Sequence, residues 1–254
     1  MSRWDATKMV LTKANKPHSG NWLYAARYNG DGSMMVTASA DGIAQLIYAN
    51  KDKESKRLNG HKGKIFFSSF SYDGKKIVTA SEDKTAKVWD VSTGKLLLTL
   101  IGHNNYIYMA NFSKDGSRIV TASGDNTLRV WDASTGDSLL QLKTTPATGP
   151  VYSAWFFEDD KNIVSVSFFN TTTIWNAITG TEILVIKDKD YMKYVEPAPL
   201  AREIITASFG FKAGIYSTIK GKLIQLFSGH AGIVNTASFS YDGKRVLTSS
   251  ADNT

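Results

Sequence analysis

The chain has 254 residues, 42% of them hydrophobic, 21% charged and 11% aromatic, which excludes a disordered chain and leaves room for one large core or two small ones. It has no cysteine, which removes thiol catalysis, zinc–thiolate sites and disulfides, and no apolar run approaches the roughly 18 residues of a membrane-spanning helix. Thirty Lys and Arg against 23 Asp and Glu leave a net charge of +7, a moderate bias toward anionic partners that says nothing about fold.

In chain order, Met1–Asp5 and Lys8–Lys13 read as two short strands, and a repeat then begins. The block Thr37-Ala38-Ser39-Ala40-Asp41 returns as Thr79-Ala80-Ser81-Glu82-Asp83 and as Thr121-Ala122-Ser123-Gly124-Asp125. It is weaker at Ser165-Val166-Ser167, clear at Thr206-Ala207-Ser208, and present again at Thr248-Ser249-Ser250-Ala251-Asp252. The steps are 42, 42, 44, 41 and 42 residues. Each repeat holds about four strand signals. In the second, Ile65–Phe70 is apolar, Asp73-Gly74 marks a tight turn, and Ile77–Ser81 alternates as a half-buried strand. Lys84–Asp90 is the third strand, and Ser92-Thr93-Gly94 turns into Lys95–Leu100, the fourth. Pro197 and Pro199 fall where the first strand of the fifth repeat should run.

Gly-His dipeptides precede the blocks at Gly60-His61, Gly102-His103 and Gly229-His230, and Trp-Asp follows at Trp89-Asp90 and Trp131-Asp132. Trp4-Asp5 supplies the same dipeptide if Thr254 is joined head to tail to Met1, for Trp4 then falls ten residues after Thr248 as Trp89 falls after Thr79. At this spacing the chain resembles the WD-repeat β-propeller family over essentially its whole length. The resemblance implies an all-β fold: a single six-bladed propeller over residues 1–254, with four-stranded antiparallel blades. The blade cores lie near 19–57, 61–99, 103–142, 147–187, 190–226, and 230–254 plus 1–13, so the last blade is closed by strands from both termini.

In the family, a His, a Ser or Thr, the turn Asp and the Trp form a hydrogen-bonded network within a blade. Carried over, it comprises His61, Ser81 (or Thr79), Asp83 and Trp89, then His103, Ser123 (or Thr121), Asp125 and Trp131. In the seam blade it comprises His230, Ser250 (or Thr248), Asp252 and Trp4. Three blades depart from this pattern. The first has Asp41 but Ser19 at the His position and Ile47 at the Trp position; the fourth keeps Trp175 but has Ala147 and Phe169 for His and Asp; the fifth has Gly210 and Tyr216 for Asp and Trp. These three are expected to rely on packing.

Catalytic motifs are missing. There is no Gly-x-Ser-x-Gly, no His-Glu-x-x-His and no Gly-x-x-x-x-Gly-Lys. Three of the four histidines have structural roles by resemblance, and His18 reads as a shifted cap. The Asp-Gly pairs at 31, 73, 115 and 242 provide one carboxylate per hairpin, too few for calcium. Asp159-Asp160 reads as a longer surface turn. No enzyme activity, cofactor or metal is expected.

Function then belongs to a face. In WD-repeat proteins, two positions around the bulge in the first strand, and the residue before the turn Asp, point to the narrow top face. By register these are Trp22 and Tyr24, Lys64 and Phe66, Tyr106 and Tyr108, Pro150 and Tyr152, Tyr191 and Lys193, and Ile233 and Asn235, with Ala40, Glu82, Gly124, Phe168, Phe209 and Ala251. Nine of these eighteen are aromatic against 11% for the chain. Exposed aromatics are the usual anchors of protein interfaces, so the resemblance and this excess together imply a scaffold that docks a protein or peptide on its top face. The contact residues are Trp22, Tyr24, Lys64, Phe66, Glu82, Tyr106, Tyr108, Tyr152, Phe168, Tyr191 and Phe209. The alternative is nucleic acid or another anionic surface held by the positive charge, with an enzyme site in the central channel third. A monomeric disc in the cytoplasm or nucleus is the expected setting.

Overall fold

The computed structural model describes residues 2–5, 10–14, 18, 21–50, 53–143, 149–199, 202–240 and 242–254, with backbone alone for 2–5 and 10–14. The described residues form strands and turns and no helix. The N-terminal hairpin is β1 (Ser2–Asp5) and β2 (Val10–Ala14). The first full sheet is β3 (Leu23–Tyr28), β4 (Met34–Ser39), β5 (Ile43–Tyr48) and β6 (Lys56–Asn59); the second is β7 (Ile65–Phe70), β8 (Lys76–Ser81), β9 (Thr85–Asp90) and β10 (Leu96–Ile101). The third is β11 (Ile107–Phe112), β12 (Arg118–Ser123), β13 (Thr127–Asp132) and β14 (Ser138–Lys143). The fourth is β15 (Val151–Phe157), β16 (Asn162–Ser167), β17 (Thr171–Asn176) and β18 (Glu182–Lys187). The fifth is β19 (Met192–Pro197), β20 (Glu203–Ser208), β21 (Lys212–Ser217) and β22 (Leu223–Ser228), and β23 (Val234–Phe239) pairs with β24 (Val246–Ser250) alone. Every pairing is antiparallel and joins neighbours in sequence, as short turns require.

First strands pack side by side from sheet to sheet: β3 on β7, β7 on β11, β11 on β15, β15 on β19 and β19 on β23. From β7 onward each also meets the second strand of the sheet before it, so sheets stack face to face like blades. The second strand is therefore covered on both sides. Ile77–Ser81 is wholly buried, as are its counterparts in β4, β12, β16 and β20. The expected half-buried strand is thus corrected: its alternation of β-branched and small residues fits two packed faces. Fourth strands are the exposed ones, with Leu96, Leu97, Ile183 and Ile224 open to solvent.

The seam differs from the sequence reading. β1 pairs with β2, with Trp4 opposite Leu11, and β23 with β24, as two separate two-stranded sheets. A hairpin closes locally at small entropic cost, whereas joining it to β24 closes a loop of nearly the whole chain. Leu247 on β24 is 75% exposed in this arrangement.

One expectation holds against an unfavourable residue, and another is corrected. Pro197 ends β19 at the sheet's inner edge, opposite Ile204, where a missing N–H breaks no ladder, so the fifth sheet forms its first strand as expected despite the proline. Asp160 is buried, not a surface residue: its carboxylate accepts the backbone N–H groups of Lys114 (2.8 Å) and Asp115 (2.9 Å), and its carbonyl accepts Arg118 Nη2 at 2.6 Å. The turn delivers it through three successive left-handed residues, Glu158, Asp159 and Asp160, with φ of 51°, 52° and 63°. It clamps the fourth sheet to the third.

Candidate partner-binding face

In the second sheet, Trp89 Nε1–H donates to Thr79 Oγ1 at 2.9 Å, Thr79 Oγ1 lies 2.7 Å from His61 Nε2, and His61 Nδ1 lies 2.8 Å from Asp83 Oδ2. The indole can only donate. The Thr79 hydroxyl thus gives its proton to Nε2, and Nδ1–H goes to the carboxylate. The third sheet repeats this with Trp131, Thr121, His103 and Asp125 at 2.9, 2.7 and 2.8 Å. The linking hydroxyl is Thr79 or Thr121, not the Ser81 or Ser123 preferred from the sequence. Ser81 Oγ instead donates to the Lys64 carbonyl at 2.8 Å and accepts Asp83 N–H, and Ser123 bonds Tyr106 O and Asp125 N–H alike. Strand alternation puts Thr79 and Ser81 on one face, but only Thr79 is within reach of the Trp89 indole, and Ser81 sits at the strand end. In the last repeat, His230 bridges Thr248 (2.8 Å) and Asp252 (2.9 Å), while Ser250 Oγ donates to Gly232 O. The Trp4 side chain lies outside the described residues.

Burial works against ionising Asp83, but hydrogen bonds from His61, Thr85 and the Lys62 N–H outweigh it and hold the carboxyl well below the usual carboxylate range. Asp125 is held down in the same way. Burial likewise lowers the His61 imidazole despite the Asp83 hydrogen bond, keeping the ring neutral. Asp83, His61 and Thr79 share the connectivity of an acyl-transfer triad. Thr79, however, is fully buried and its oxygen receives the indole N–H, so no substrate reaches it.

The three departing sheets also hold polar bonds beyond packing. His18, not Ser19, completes the first sheet, with Nδ1 2.8 Å from Asp41 Oδ2 and Nε2 2.8 Å from Thr37 Oγ1. It stands 23 residues before its Asp where His61 stands 22 before, a one-residue slip that hid it; Ser19 lies outside the described residues. In the fourth, Trp175 Nε1 donates to Ser165 Oγ at 2.8 Å, and Ala147 lies outside the described residues. In the fifth, Tyr216 donates its hydroxyl proton directly to Asp188, which occupies the His register.

At the start of the first strands, one device recurs. Each first strand carries a register shift that skips one residue: Tyr24, Phe66, Tyr108, Tyr152, Lys193 and Asn235 in turn. A bulge re-aims the skipped side chain. The backbone is fixed by a repeated bond from the N–H after each second strand to the carbonyl before the bulge: Ala40 to Trp22, Glu82 to Lys64, Gly124 to Tyr106, Phe168 to Pro150, Phe209 to Tyr191 and Ala251 to Ile233.

The aromatic rings so placed touch in one unbroken run. Tyr24 meets Phe66 at 5.4 Å between centroids, Phe66 meets Tyr106 (6.1 Å) and Tyr108 (5.6 Å), and Tyr108 meets Tyr152 at 5.0 Å. Tyr152 meets Phe168 at 6.0 Å, which stacks on Tyr191 at 5.0 Å and touches Phe209 at 6.1 Å. Phe169, taken from the sequence only as a replacement for the turn Asp, joins through Phe168 and Tyr191 and is 47% exposed. Tyr24, Tyr106 and Tyr191 are 45%, 38% and 46% exposed, whereas Phe66, Tyr108, Tyr152, Phe168 and Phe209 are half-buried beneath them. Trp22, 79% exposed, stands apart from the run. Lys64 pairs with Glu82 at 3.4 Å on the same face.

Further along the first strands, side chains of different sheets meet one another. The Arg27 guanidinium lies over Phe67 (5.4 Å) and Trp155 (5.0 Å) and donates to the Tyr194 hydroxyl and to Glu196 (3.2 Å). Part of the basic excess lines a groove of about 730 Å³ between the first and second sheets, where Lys53 and Lys56 sit over Tyr48 and Lys75 faces them. Lys56 is already engaged by the carbonyls of Val91 and Ser92, and Glu54 and Asp90 share the groove. Among the described residues no group of His, Asp and Glu has the arrangement of a metal site, and no helix is long and apolar enough to cross a membrane.

No curated protein matches the chain. Residues 52–90, 94–132 and 221–254 match the WD domain, G-beta repeat family, whose repeats generally serve as protein-interaction scaffolds. The chain thus contains three WD40 repeats, and its stacked four-stranded antiparallel sheets agree with a WD-repeat fold.

Proposed function

We propose that the chain is a non-enzymatic docking module: a six-bladed disc that binds a protein or peptide partner on the aromatic face built by its first-strand bulges. The observation that carries this is the unbroken run of ring contacts from Tyr24 to Phe209, reaching across five sheets. Rigid aromatics in contact offer large apolar area at little conformational cost, and they cluster where interfaces concentrate their energy. The half-buried rings hold the exposed ones in place, so the face is preformed. Closure by the β1–β2 hairpin beside β24 supplies the sixth blade, and the Trp4-Asp5 dipeptide that the hairpin carries supports this reading.

The test is capture from nuclease-treated lysate, with native protein beside a Tyr24→Ala, Tyr106→Ala, Tyr191→Ala variant. Each substituted ring is exposed, so the variant keeps its melting temperature. A partner held by the native disc and weakened at least ~10-fold by the variant supports the reading. Partners held equally by both move the site off this face. An empty capture, together with binding to added nucleic acid that falls steeply with salt, favours the positive charge instead.

A further inference from the structure

The six bulge positions are not alike. Four carry rings, and the last two carry Lys193 and Asn235. Lys193 Nζ donates to Asn235 Oδ1 at 2.6 Å and lies 5.6 Å from the centre of the Phe209 ring. Its neighbours on the face are matched with carboxylates: Lys64 with Glu82 and Lys212 with Asp190. Among the described residues Lys193 forms no such pair. It is partly buried, and desolvation alone lowers its ammonium below the ordinary lysine value, with no carboxylate to offset it. An ammonium has three protons; one goes to Asn235, and a ring is a weak substitute for an anion. The site is thus one carboxylate short at the end of an apolar run.

We propose that Lys193 is the anchor for an acidic side chain, Asp or Glu, of an extended peptide whose neighbouring apolar residues lie on Phe209, Phe168 and Tyr191. This rests on the aromatic face being the docking face, and adds the partner's chemistry: an acidic residue flanked by aromatic or aliphatic ones. A carboxylate there meets a partly desolvated cation, where a charge-assisted hydrogen bond is worth more than in open water. Asn235 fixes where the ammonium points, and the Phe209 ring excludes water on one side.

The probe is a library of random linear peptides displayed as N-terminal fusions, so that none has a free C-terminal carboxylate. Peptides enriched on the native protein are synthesised with amidated ends. Their affinities are measured against native protein, Lys193→Gln and Lys193→Arg, and against the Tyr24→Ala, Tyr106→Ala, Tyr191→Ala variant. The expected result is enrichment of an Asp or Glu beside apolar residues. Affinity falls at least ~10-fold for Lys193→Gln, by the same factor for the peptide's Glu→Gln, and by no more when the two are combined. Lys193→Arg restores much of the loss and shows that the face is intact. Independent, additive losses, or enriched peptides without an acid, overturn the anchor while leaving the docking face standing if the aromatic variant still abolishes binding. Peptides indifferent to the aromatic variant, or a library that yields no binder, overturn both.

Discussion

At the scale of the residue, Thr79 is the centre of its sheet's polar network. Its single oxygen serves both the Trp89 indole and the His61 imidazole, and all three lie out of water. Thr79→Val keeps the shape and strands two buried groups, each costing about 1–3 kcal/mol when unpaired. Urea denaturation is expected to show a loss of about 2–4 kcal/mol, against a smaller loss for Ser81→Ala and the smallest for Thr79→Ser, which keeps the hydroxyl. The same network sets the acid response. Asp41, Asp83, Asp125 and Asp252 all have carboxyl groups held below their ordinary value, and His61 is lowered too. A group depressed on folding stabilises the protein above its unfolded pKa and loses that contribution as pH falls toward its folded value. The melting temperature is therefore expected to fall gently below about pH 6.5, as His61 is asked to charge, and steeply below about pH 4, as the aspartates are protonated. A flat profile from pH 7 to pH 3 would remove the network from the account of stability.

At the scale of the element, the strands were legible wherever the repeat kept its punctuation. Asp73-Gly74 and Ser92-Thr93-Gly94 bound the strands of the second sheet as expected, and Thr-Ala-Ser marks the end of a second strand each time. What the sequence hid was substitution by a different route. His18 slipped one residue from its register, and Asp188 bonds Tyr216 from a position where no aspartate belongs in the family pattern. A motif scan compares identities at fixed offsets, whereas a hydrogen bond needs only a donor and an acceptor brought within reach. Asp160 was misread for a related reason: the composition of its loop is that of any surface turn, and only tertiary packing makes it a clamp. Asp160→Ala deprives two N–H groups of the third sheet of a charged acceptor, and a loss of about 3 kcal/mol is expected by denaturation. Asp160→Gly loses the same carboxylate but relieves the left-handed backbone at φ 63°, so it should lie about 1 kcal/mol above the alanine variant. Equal values for the two would show that the turn stores no strain.

At the scale of the whole molecule, the period of the repeat fixes how many blades the chain can build, but not how the last one is completed. Among the described residues, five sheets have four strands and bury their second strand on both faces, whereas β23 and β24 have neither an outer pair nor a cover for Leu247. A strand with one free edge and an exposed apolar side chain is an invitation to pair with another copy. The β1–β2 hairpin has the missing number of strands, and it carries a Trp-Asp dipeptide, Trp4-Asp5, as β9 and β13 do. Indole N–H donation to Thr248, as in the second and third sheets, would then complete the network that His230 and Asp252 already begin. Deleting residues 1–13 separates this arrangement from one in which the hairpin is an appendage. If the hairpin completes the sixth blade, the truncated protein exposes the β24 edge, melts at a lower temperature, and self-associates in sedimentation velocity at micromolar concentration. Trp4→Ala, which leaves the strand in place, should lower the melting temperature without association, because the edge stays paired while the indole contact is gone. A truncated protein that remains monomeric with an unchanged melting temperature would instead mean that the ring is held without the hairpin, and that stacking between first strands alone carries the disc.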